Sequence, residues 1–236
     1  MKSTLLYEGK AKKVYFVEGD SEKLILSYKD DATAFNGKKK SVFPGKGKLN
    51  NEISAAIFEY LQDQGISSHF VQKLNETEQL VYQTEIIPLE VVVRNIAAGS
   101  ITRRLPIEEK TVFPKPLVEF YYKSDIWDDP LINDDHACIL TGLSLHELKE
   151  IKDNALKIND QLRKLFAGIN LTLVDFKLEF GKRKNTIILA DEISPDTCRL
   201  WDKDTMEPLD KDVFRKGTGN LLEVYQELLN RLEAIR

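Results

Sequence analysis

Three charged residues alternate with apolar residues between positions 173 and 181 of this chain. These residues, Asp175, Lys177 and Glu179, are called the charged row below. In a β-strand alternate residues share one face and lie about 6.8 Å apart, so the row would cover roughly the length of a nucleotide's polyphosphate. The opposite face would carry Val174, Phe176, Leu178 and Phe180. Carboxylates beside a lysine are typical of sites that bind magnesium and a nucleotide.

Another carboxylate follows the next hydrophobic run. The run 186–190 ends at Asp191, and a hairpin with the charged row would bring Asp191 beside Glu179. The nine residues 191–199, Asp-Glu-Ile-Ser-Pro-Asp-Thr-Cys-Arg, carry six charged or hydroxyl-bearing side chains, more than a turn requires. The alternative for the charged row is the solvated face of an edge strand with cross-strand ion pairs.

Two further segments could bind anions. In Gly9-Lys10-Ala11-Lys12-Lys13, glycine allows backbone amides to approach an anion and the lysines add charge, although a basic surface turn is the alternative. The segment does not match a P-loop, which needs a longer glycine-framed stretch that opens a helix. Arg94, six residues before Ser100, combines a guanidinium with a small Gly-Ser turn, which favours phosphate binding. Its alternative is a salt bridge to Glu90 or another nearby carboxylate.

Composition limits the class of protein. The chain has 236 residues, 42% of them hydrophobic, which is enough for a real core. Its net charge of −4 provides no basic field for nucleic acid or a membrane, so we expect small-molecule partners. Cys138 and Cys198 have no paired spacing, and no apolar run is long enough to cross a bilayer. These features predict a reduced, cytoplasmic setting. The three histidines, His69, His136 and His146, have no metal-ligand spacing.

The elements that must position these residues follow from periodicity. Short β-type runs at 4–7, 14–17 and 24–28 predict an antiparallel meander. Apolar residues at helical spacing predict a helix over 51–64. Strands are predicted at 70–74, 80–86 and 89–93, with a boundary between two lobes near Gln83.

The second half contains one irregular stretch and two helices. Residues 103–142 hold four prolines and the acidic aromatic segment 125–129, which predicts a functional loop. Ser144 and Glu147 form a capping box ahead of a long amphipathic helix, and a last helix begins at about Asn220. The lysines Lys38, Lys39, Lys40, Lys46 and Lys48 are interpreted as a solvated basic loop.

Four of these segments together resemble the SAICAR synthetases, the phosphoribosylaminoimidazole-succinocarboxamide synthases. The resemblance rests on 86–100 with Arg94 and Ser100, on 173–181 with the charged row, on Gly9 to Lys12, and on 191–199. It implies an α+β fold of two lobes, related to the ATP-binding lobes of kinases and ATP-grasp enzymes. Residues 1–83 would form an antiparallel β lobe covering ATP, and residues 84–236 a larger α+β lobe with the substrate and metal site.

The activity that the resemblance implies is ATP-dependent ligation of L-aspartate to the carboxylate of carboxyaminoimidazole ribonucleotide (CAIR). The products would be SAICAR, ADP and phosphate, formed through an acyl phosphate in purine biosynthesis. The implied metal ion is Mg²⁺, held by Glu179 and Asp191. The implied ATP-binding residues are Lys10, Ala11, Lys12, Lys13, Val81, Tyr82, Gln83, Lys177, Glu179 and Asp191. The implied residues for CAIR and aspartate are Arg94, Gly99, Ser100, Asp129, Asp175, Asp196 and Arg199. The implied catalytic residues are Asp175, Lys177 and Asp196.

One departure and several alternatives remain at this point. Asn36 stands where many family members have an aspartate, so a role that needs a carboxylate there is in doubt. A small-molecule kinase that stops after phosphoryl transfer could use the same lysines and carboxylates, and a non-catalytic nucleotide-binding protein could use the charged row as a sensor. A homodimer is compatible with the resemblance, but apolar helix faces that could form an interface would equally serve core packing.

Overall fold

The computed structural model describes residues 1–34 and 39–235, so Asn36 and Lys38 lie outside the described residues. The strands are β1 Lys2–Glu8, β2 Lys12–Val17, β3 Asp20–Tyr28, β4 Asp31–Ala34, β5 Lys39–Val42, β6 Phe70–Lys73, β7 Glu78–Tyr82, β8 Glu85–Ile86, β9 Leu89–Ile96, β10 Val112–Tyr122, β11 Leu131–Ile132, β12 Leu171–Arg183, β13 Thr186–Ala190 and β14 Cys198–Asp202. The helices are α1 Lys46–Asp63, α2 Ser100–Arg104, α3 Asp134–Thr141, α4 Leu145–Gly168, α5 Asp212–Lys216 and α6 Leu221–Glu233.

The amino-terminal strands form a five-stranded antiparallel sheet in the order β1-β2-β3-β7-β6. This arrangement confirms the predicted meander, because β1, β2 and β3 are neighbours joined by short turns at Gly9 and Gly19. The predicted strand over 80–86 is in fact two strands: β7 belongs to this sheet, whereas β8 pairs with β12. The chain therefore passes from one sheet to the other between Tyr82 and Glu85.

A second sheet of seven strands contains the charged row. Its main order is β11-β10-β9-β12-β13, and β14 and β8 also pair with β12. Strand β12 lies inside this sheet, since Asp175 is paired with both β9 and β14 and Asp175 and Glu179 are buried, so the alternative of a solvated face on an edge strand is wrong. Its antiparallel pairing with β13 places Glu179 opposite Ala190, directly before Asp191, and confirms the predicted hairpin.

The charged row keeps one face of β12, but the apolar residues do not all share the other. Phe176, Leu178 and Phe180 enter the main core, whereas Val174 packs in a small separate cluster with Ala98 and Trp201. The expectation for Val174 was wrong because the pairing of β12 with β14 shifts register between Leu173 and Asp175, which breaks the alternation of faces.

The stretch 103–142 is more regular than expected, since it contains β10, β11 and α3. Pro114 and Pro116 lie inside β10, where its pairing with β9 shifts register between Val112 and Leu117. A proline cannot donate a hydrogen bond in a continuous sheet but is tolerated at such an irregularity. The four prolines alone therefore indicated a loop where the chain forms a strand.

Helix α4 packs on the second sheet, α1 packs against α6 and strands β3, β6 and β7, and all three helices contribute to one large core. The capping box of Ser144 and Glu147 is confirmed at the start of α4, and Asn220 caps α6. Helix α1 begins at Lys46, five residues before the predicted start, and it packs against α6 although its sequence lies between strands of the first sheet. Among the described residues, no helix combines the length and apolar character needed to span a bilayer.

Candidate active site

A cavity of about 330 Å³ lies between the two sheets. Its apolar end is lined by Val14, Leu24, Leu26, Val81 and Ile86. Its charged end is lined by Lys10, Lys12, Glu90, Lys123, Asp125, Asp129, Lys177, Glu179, Asp191 and Glu192. An apolar slot next to a cluster of positively and negatively charged side chains suits a ligand with a flat ring at one end and phosphates at the other.

Lys12 joins the first sheet to the end of β13. Its Nζ lies 2.6 Å from Asp191 Oδ1 and 3.2 Å from Glu192 Oε1. Burial works against the charged lysine, but the two carboxylates outweigh it and raise its pKa. Burial likewise opposes ionisation of Asp191, whereas Lys12, Lys177 and Lys123 lower its pKa. Both groups are therefore ionised at neutral pH.

The charged row supplies a second network on the opposite wall. Lys177 Nζ lies 2.7 Å from Glu179 Oε1 and 3.1 Å from Glu90 Oε1, while Glu179 Oε2 accepts from Lys123 Nζ at 2.5 Å. Burial would lower the pKa of Lys177, but Glu179, Glu90 and Asp191 raise it well above its usual value. Lys177 is thus a fixed cation between two carboxylates, as charge neutralisation at a phosphoryl group requires.

The carboxylates at this end of the cavity fit a magnesium ion. Glu192 is buried, and its Oε2 has no hydrogen-bond partner within the described part of the chain. A buried carboxylate oxygen without a donor is costly, and oxygen ligands are those that Mg²⁺ prefers. Residues 1–34 and 39–235 contain no group of three or more His, Cys, Asp or Glu side chains arranged to hold a metal alone. Mg²⁺ commonly binds through one or two carboxylates together with substrate phosphates.

The other residues expected to bind ATP divide into two groups. Ala11, Val81 and Tyr82 line the cavity with Lys10, whose Nζ lies 2.6 Å from Asp125 on the facing loop. Lys13 and Gln83 do not line it. Lys13 pairs instead with Glu8 on β1, and the amide of Gln83 donates to the carbonyl of Glu22. Asp129, expected near the imidazole substrate, lies in this same cavity and accepts from the amide of Ser124.

Arg94, Asp175 and Arg199 lie side by side across three strands. Asp175 is the register partner of Arg94 on β9 and of Arg199 on β14, so all three share one face. Arg94 Nη1 and Arg199 Nη1 each lie 2.8 Å from Asp175 Oδ2. Arg94 Nη2 also donates to Ser100 Oγ at 3.0 Å. Two guanidiniums and a hydroxyl held this way can bind a phosphate monoester.

The salt bridge considered for Arg94 exists, although Glu90 is not its partner. Arg94 pairs with Asp175 and, through Nε, with Glu119 at 2.8 Å. Glu90 faces Lys177 instead. All five guanidinium donors of Arg94 have acceptors here, and Nη2 donates to two hydroxyls, those of Ser100 and Tyr121. A phosphate oxygen would have to replace a hydroxyl acceptor, and a charged acceptor makes the stronger hydrogen bond.

Gly99 brings the backbone against Arg199. Its φ is +67°, and a Cβ at this position would lie 2.5 Å from the guanidinium. Any side chain would therefore displace Arg199, which Asp212 holds from the other side through a 3.1 Å bond from Arg199 Nε. Glycine is required here both by conformation and by space.

Asp196 belongs to a different, buried cluster. It accepts from Tyr225 Oη at 2.5 Å and from Lys46 Nζ at 2.7 Å, and Lys211 Nζ lies 3.3 Å away. Burial opposes its ionisation, but Lys46 and Lys211 lower its pKa. Lys46 itself has no exposed surface, so the interpretation of Lys46 as part of a solvated loop was wrong. The cluster touches the Arg94 group only indirectly, since Lys211 is followed by Asp212, the partner of Arg199.

Sequence reasoning did not assign several residues that the structure brings to the site. Glu90 and Lys123 pair with the charged row, Glu192 pairs with Lys12, and His69 contacts the carbonyl of Asp191. Glu192 could have been found, because it directly follows Asp191. Lys123 and His69 carried no local signal, since only the tertiary fold brings them to the cavity.

The two antiparallel sheets and the cavity between them define an α+β enzyme suited to an anionic nucleotide. The family model of SAICAR synthetases matches residues 5–232. A phosphoribosylaminoimidazole-succinocarboxamide synthase from Oceanobacillus iheyensis is 62% identical over 99% of both chains. A SAICAR synthetase solved in complex with ADP is 52% identical over 96% of both chains, with a TM-score of 0.93. The synthase from Ehrlichia chaffeensis is 47% identical over 99% of this chain and 100% of its own, with a TM-score of 0.94. The chain belongs to the SAICAR synthetase family.

Proposed function

We propose that this chain joins L-aspartate to the carboxylate of CAIR, with conversion of ATP to ADP and phosphate, and so forms SAICAR for purine biosynthesis. Family membership over nearly the whole chain supports the reaction. The observation that carries the assignment to residues is the charged row on β12. Its three residues share one face of one strand. Asp175 lies between two arginines, and Lys177 and Glu179 line the adjoining cavity.

The reaction needs activation of a poor acyl donor. A carboxylate oxygen of CAIR attacks the γ-phosphorus of ATP, the bond to the β,γ-bridging oxygen breaks, and ADP leaves. The aspartate amine then attacks the acyl phosphate, loses a proton and expels phosphate to give the amide. Each step moves negative charge, so fixed cations contribute more than a covalent enzyme group would.

The residues of this chain supply fixed positive charge at defined positions. Lys12, which is buried, and Lys177, which is partly exposed to the cavity, bind and neutralise the transferring phosphoryl group. Arg94, Ser100 and Arg199 hold the 5′-phosphate of CAIR. Asp175 fixes the orientation of both arginines through its two oxygens and thereby places the substrate.

Glu179 and Asp191 would hold Mg²⁺, and Glu192, whose Oε2 has no partner among the described residues, lines the same cavity. The chemistry that a bound Mg²⁺ supplies here is neutralisation of phosphate charge during transfer. The adenine ring occupies the apolar end near Val81 and Tyr82, beneath the amino-terminal sheet. Because the substrates are metabolites of the cell interior and both cysteines are free thiols, the location is cytoplasmic.

ADP release with each substrate omitted in turn tests the proposal. We expect release to require ATP, CAIR and L-aspartate together, with one amide formed for each ADP, as measured by a coupled ADP assay and mass spectrometry of the product. ADP formed from ATP and CAIR without aspartate, and no amide when aspartate is added, would instead show a kinase. Glu179→Gln and Asp191→Asn should each abolish turnover while circular dichroism stays that of the parent; unchanged turnover in either would remove its metal role.

A further inference from the structure

Asp191, the residue directly after the β12–β13 hairpin, has a left-handed backbone. Its φ is +60°, a conformation that residues other than glycine rarely adopt. Neighbouring residues of an extended strand point to opposite faces, yet Asp191 and Glu192 both reach Lys12, at 2.6 and 3.2 Å. The left-handed turn at Asp191 is what allows two consecutive carboxylates to face the same end of the cavity.

One side chain holds this turn from outside. Nε2 of His69 lies 2.9 Å from the carbonyl oxygen of Asp191. A carbonyl can only accept, so Nε2 carries the proton and donates. The residue has 4% of its surface exposed. Its backbone is fixed on both sides, because its amide donates to the carbonyl of Leu189 and its carbonyl accepts from the amide of Tyr82.

We propose that His69 is a positioning residue: its Nε2–H holds the carbonyl of Asp191, and with it the left-handed turn that aims the Asp191 carboxylate at the magnesium ion. This inference rests on the proposed role of Asp191 as a metal ligand. In this role His69 does not contact the reacting atoms. Groups that fix a metal ligand in this indirect way contribute about 10- to 100-fold to metal affinity in other proteins.

Two simpler roles for His69 must be separated from this one. The ring lines the cavity, so it could serve only as a wall for the nucleotide. It also packs against Phe58, with ring centroids 5.6 Å apart, so it could serve only to fill the core. A wall would affect nucleotide binding with or without metal, and a core filler would affect stability alone.

The experiment measures the dissociation constant of ADP by titration calorimetry, with saturating Mg²⁺ and with a chelator, and takes the ratio of the two. Two variants are compared. His69→Leu removes the hydrogen-bond donor. His69→Gln keeps a donor, because its side-chain amide nitrogen occupies the place of Nε2. Phe58→Leu is the matched control, since it loosens the same packing and keeps the imidazole.

For the parent, Mg²⁺ should tighten ADP binding, which the proposed function alone requires. In His69→Leu the gain from Mg²⁺ should fall about tenfold or more, with metal-free binding within twofold of the parent. His69→Gln and Phe58→Leu should keep the parental ratio. The inference is overturned if His69→Leu weakens both constants equally, or if Phe58→Leu changes the ratio as much. A parent without any gain from Mg²⁺ would contradict the metal site itself.

The tautomer provides a second test that needs no variant. In the ¹⁵N-labelled parent, long-range ¹H–¹⁵N spectra should show His69 with a protonated Nε2 and an unprotonated Nδ1 at neutral pH. The opposite tautomer would overturn the inference even if His69→Leu fails to fold.

Discussion

Lys12 donates to the carboxylate of Asp191 across 179 positions of the chain, at 2.6 Å. The first turn of the amino-terminal sheet is thereby tied to the end of β13. Under the proposed function this carboxylate also binds a metal ion, so the lysine and the ion compete for one group. We expect binding of the nucleotide with Mg²⁺ to release Lys12 from Asp191 toward the phosphates.

Replacement of Lys12 should therefore remove catalysis. Lys12→Met leaves Asp191 and Glu192 without their shared cation and removes one donor from the phosphoryl group. We expect kcat to fall roughly 10²- to 10³-fold, as for other single electrostatic contacts to a transition state. Steady-state ADP release with all three substrates measures it.

Lys13 is the matched control for that change. It is the next residue, but it pairs with Glu8 outside the cavity. Lys13→Met should leave kcat within about twofold and cost less than about 1 kcal/mol of stability, as exposed ion pairs do. Equal losses in the two variants would mean that general positive charge on this turn, rather than the position of Lys12, is what matters.

A methyl group at position 99 should weaken binding of the imidazole substrate. In Gly99→Ala the new Cβ would lie 2.5 Å from the guanidinium of Arg199, so Arg199 must move away from its place beside Asp175. Because small misplacement of a binding group is costly, kcat/KM for CAIR should fall about 10- to 100-fold, with KM for ATP nearly unchanged.

Gly142→Ala separates this steric effect from backbone strain. Gly142 has a similar φ of +72°, but a Cβ there would meet no described atom within 4 Å. It should cost about 1 kcal/mol of stability and leave kcat/KM as in the parent. A fall in kcat/KM for CAIR in Gly142→Ala would show that backbone strain at a glycine turn lowers activity even without displacement of Arg199.

Breaking the buried pair of Lys46 and Asp196 by removing one partner should be strongly destabilising. Lys46→Met leaves Asp196 ionised and buried with only Lys211 and Tyr225 as partners. Removal of one member of a buried pair typically costs about 3–5 kcal/mol. Urea unfolding followed by circular dichroism should show this loss, whereas Lys48→Met, at an exposed pair with Glu76, should cost less than about 1 kcal/mol.

The contribution of Asp210 to stability should fall between pH 5 and pH 8. Burial and the nearby charge of Asp212 raise the pKa of Asp210 to about 7. The folded protein therefore keeps a proton that the unfolded chain has already released, and stability present at low pH is lost as the pH rises toward 7. The loss is about 1.4 kcal/mol for each pH unit over which only the folded state holds the proton.

Asp210→Asn should flatten this dependence. The free energy of unfolding of the parent, minus that of the variant, should fall by roughly 2–3 kcal/mol from pH 5 to pH 8 when both are measured in urea. The same difference at both pH values would mean that Asp210 is ionised in the folded protein throughout this range.

The sequence was most informative where function imposes an unusual pattern. The charged row, its hairpin with β13 and the capping box of α4 all follow from residues close together in the chain, and the structure confirms each of them. Alternation and capping are local rules, so local sequence is sufficient to apply them.

The residues that were missed depend on distant contacts. Lys46 has the sequence context of a solvated loop, and only its encounter with Asp196, 150 positions later, makes it a buried ion. Val174 was assigned to the wrong face because a register shift leaves no mark in a single strand. Pro114 and Pro116 indicated a loop because their tolerance in β10 depends on how β9 pairs beside them.

The course of α1 through the molecule has a consequence for how the chain can be divided. Its residues Leu49, Ile53, Phe58 and Leu61 fill the same core as α4, α6 and β12, although the helix is encoded between β5 and β6. A fragment that begins at β8 would therefore expose a long apolar groove where α1 belongs. We expect such a fragment to aggregate when it is made alone and to be rescued by the amino-terminal fragment supplied as a separate chain, which makes the enzyme a candidate for a split reporter of protein association.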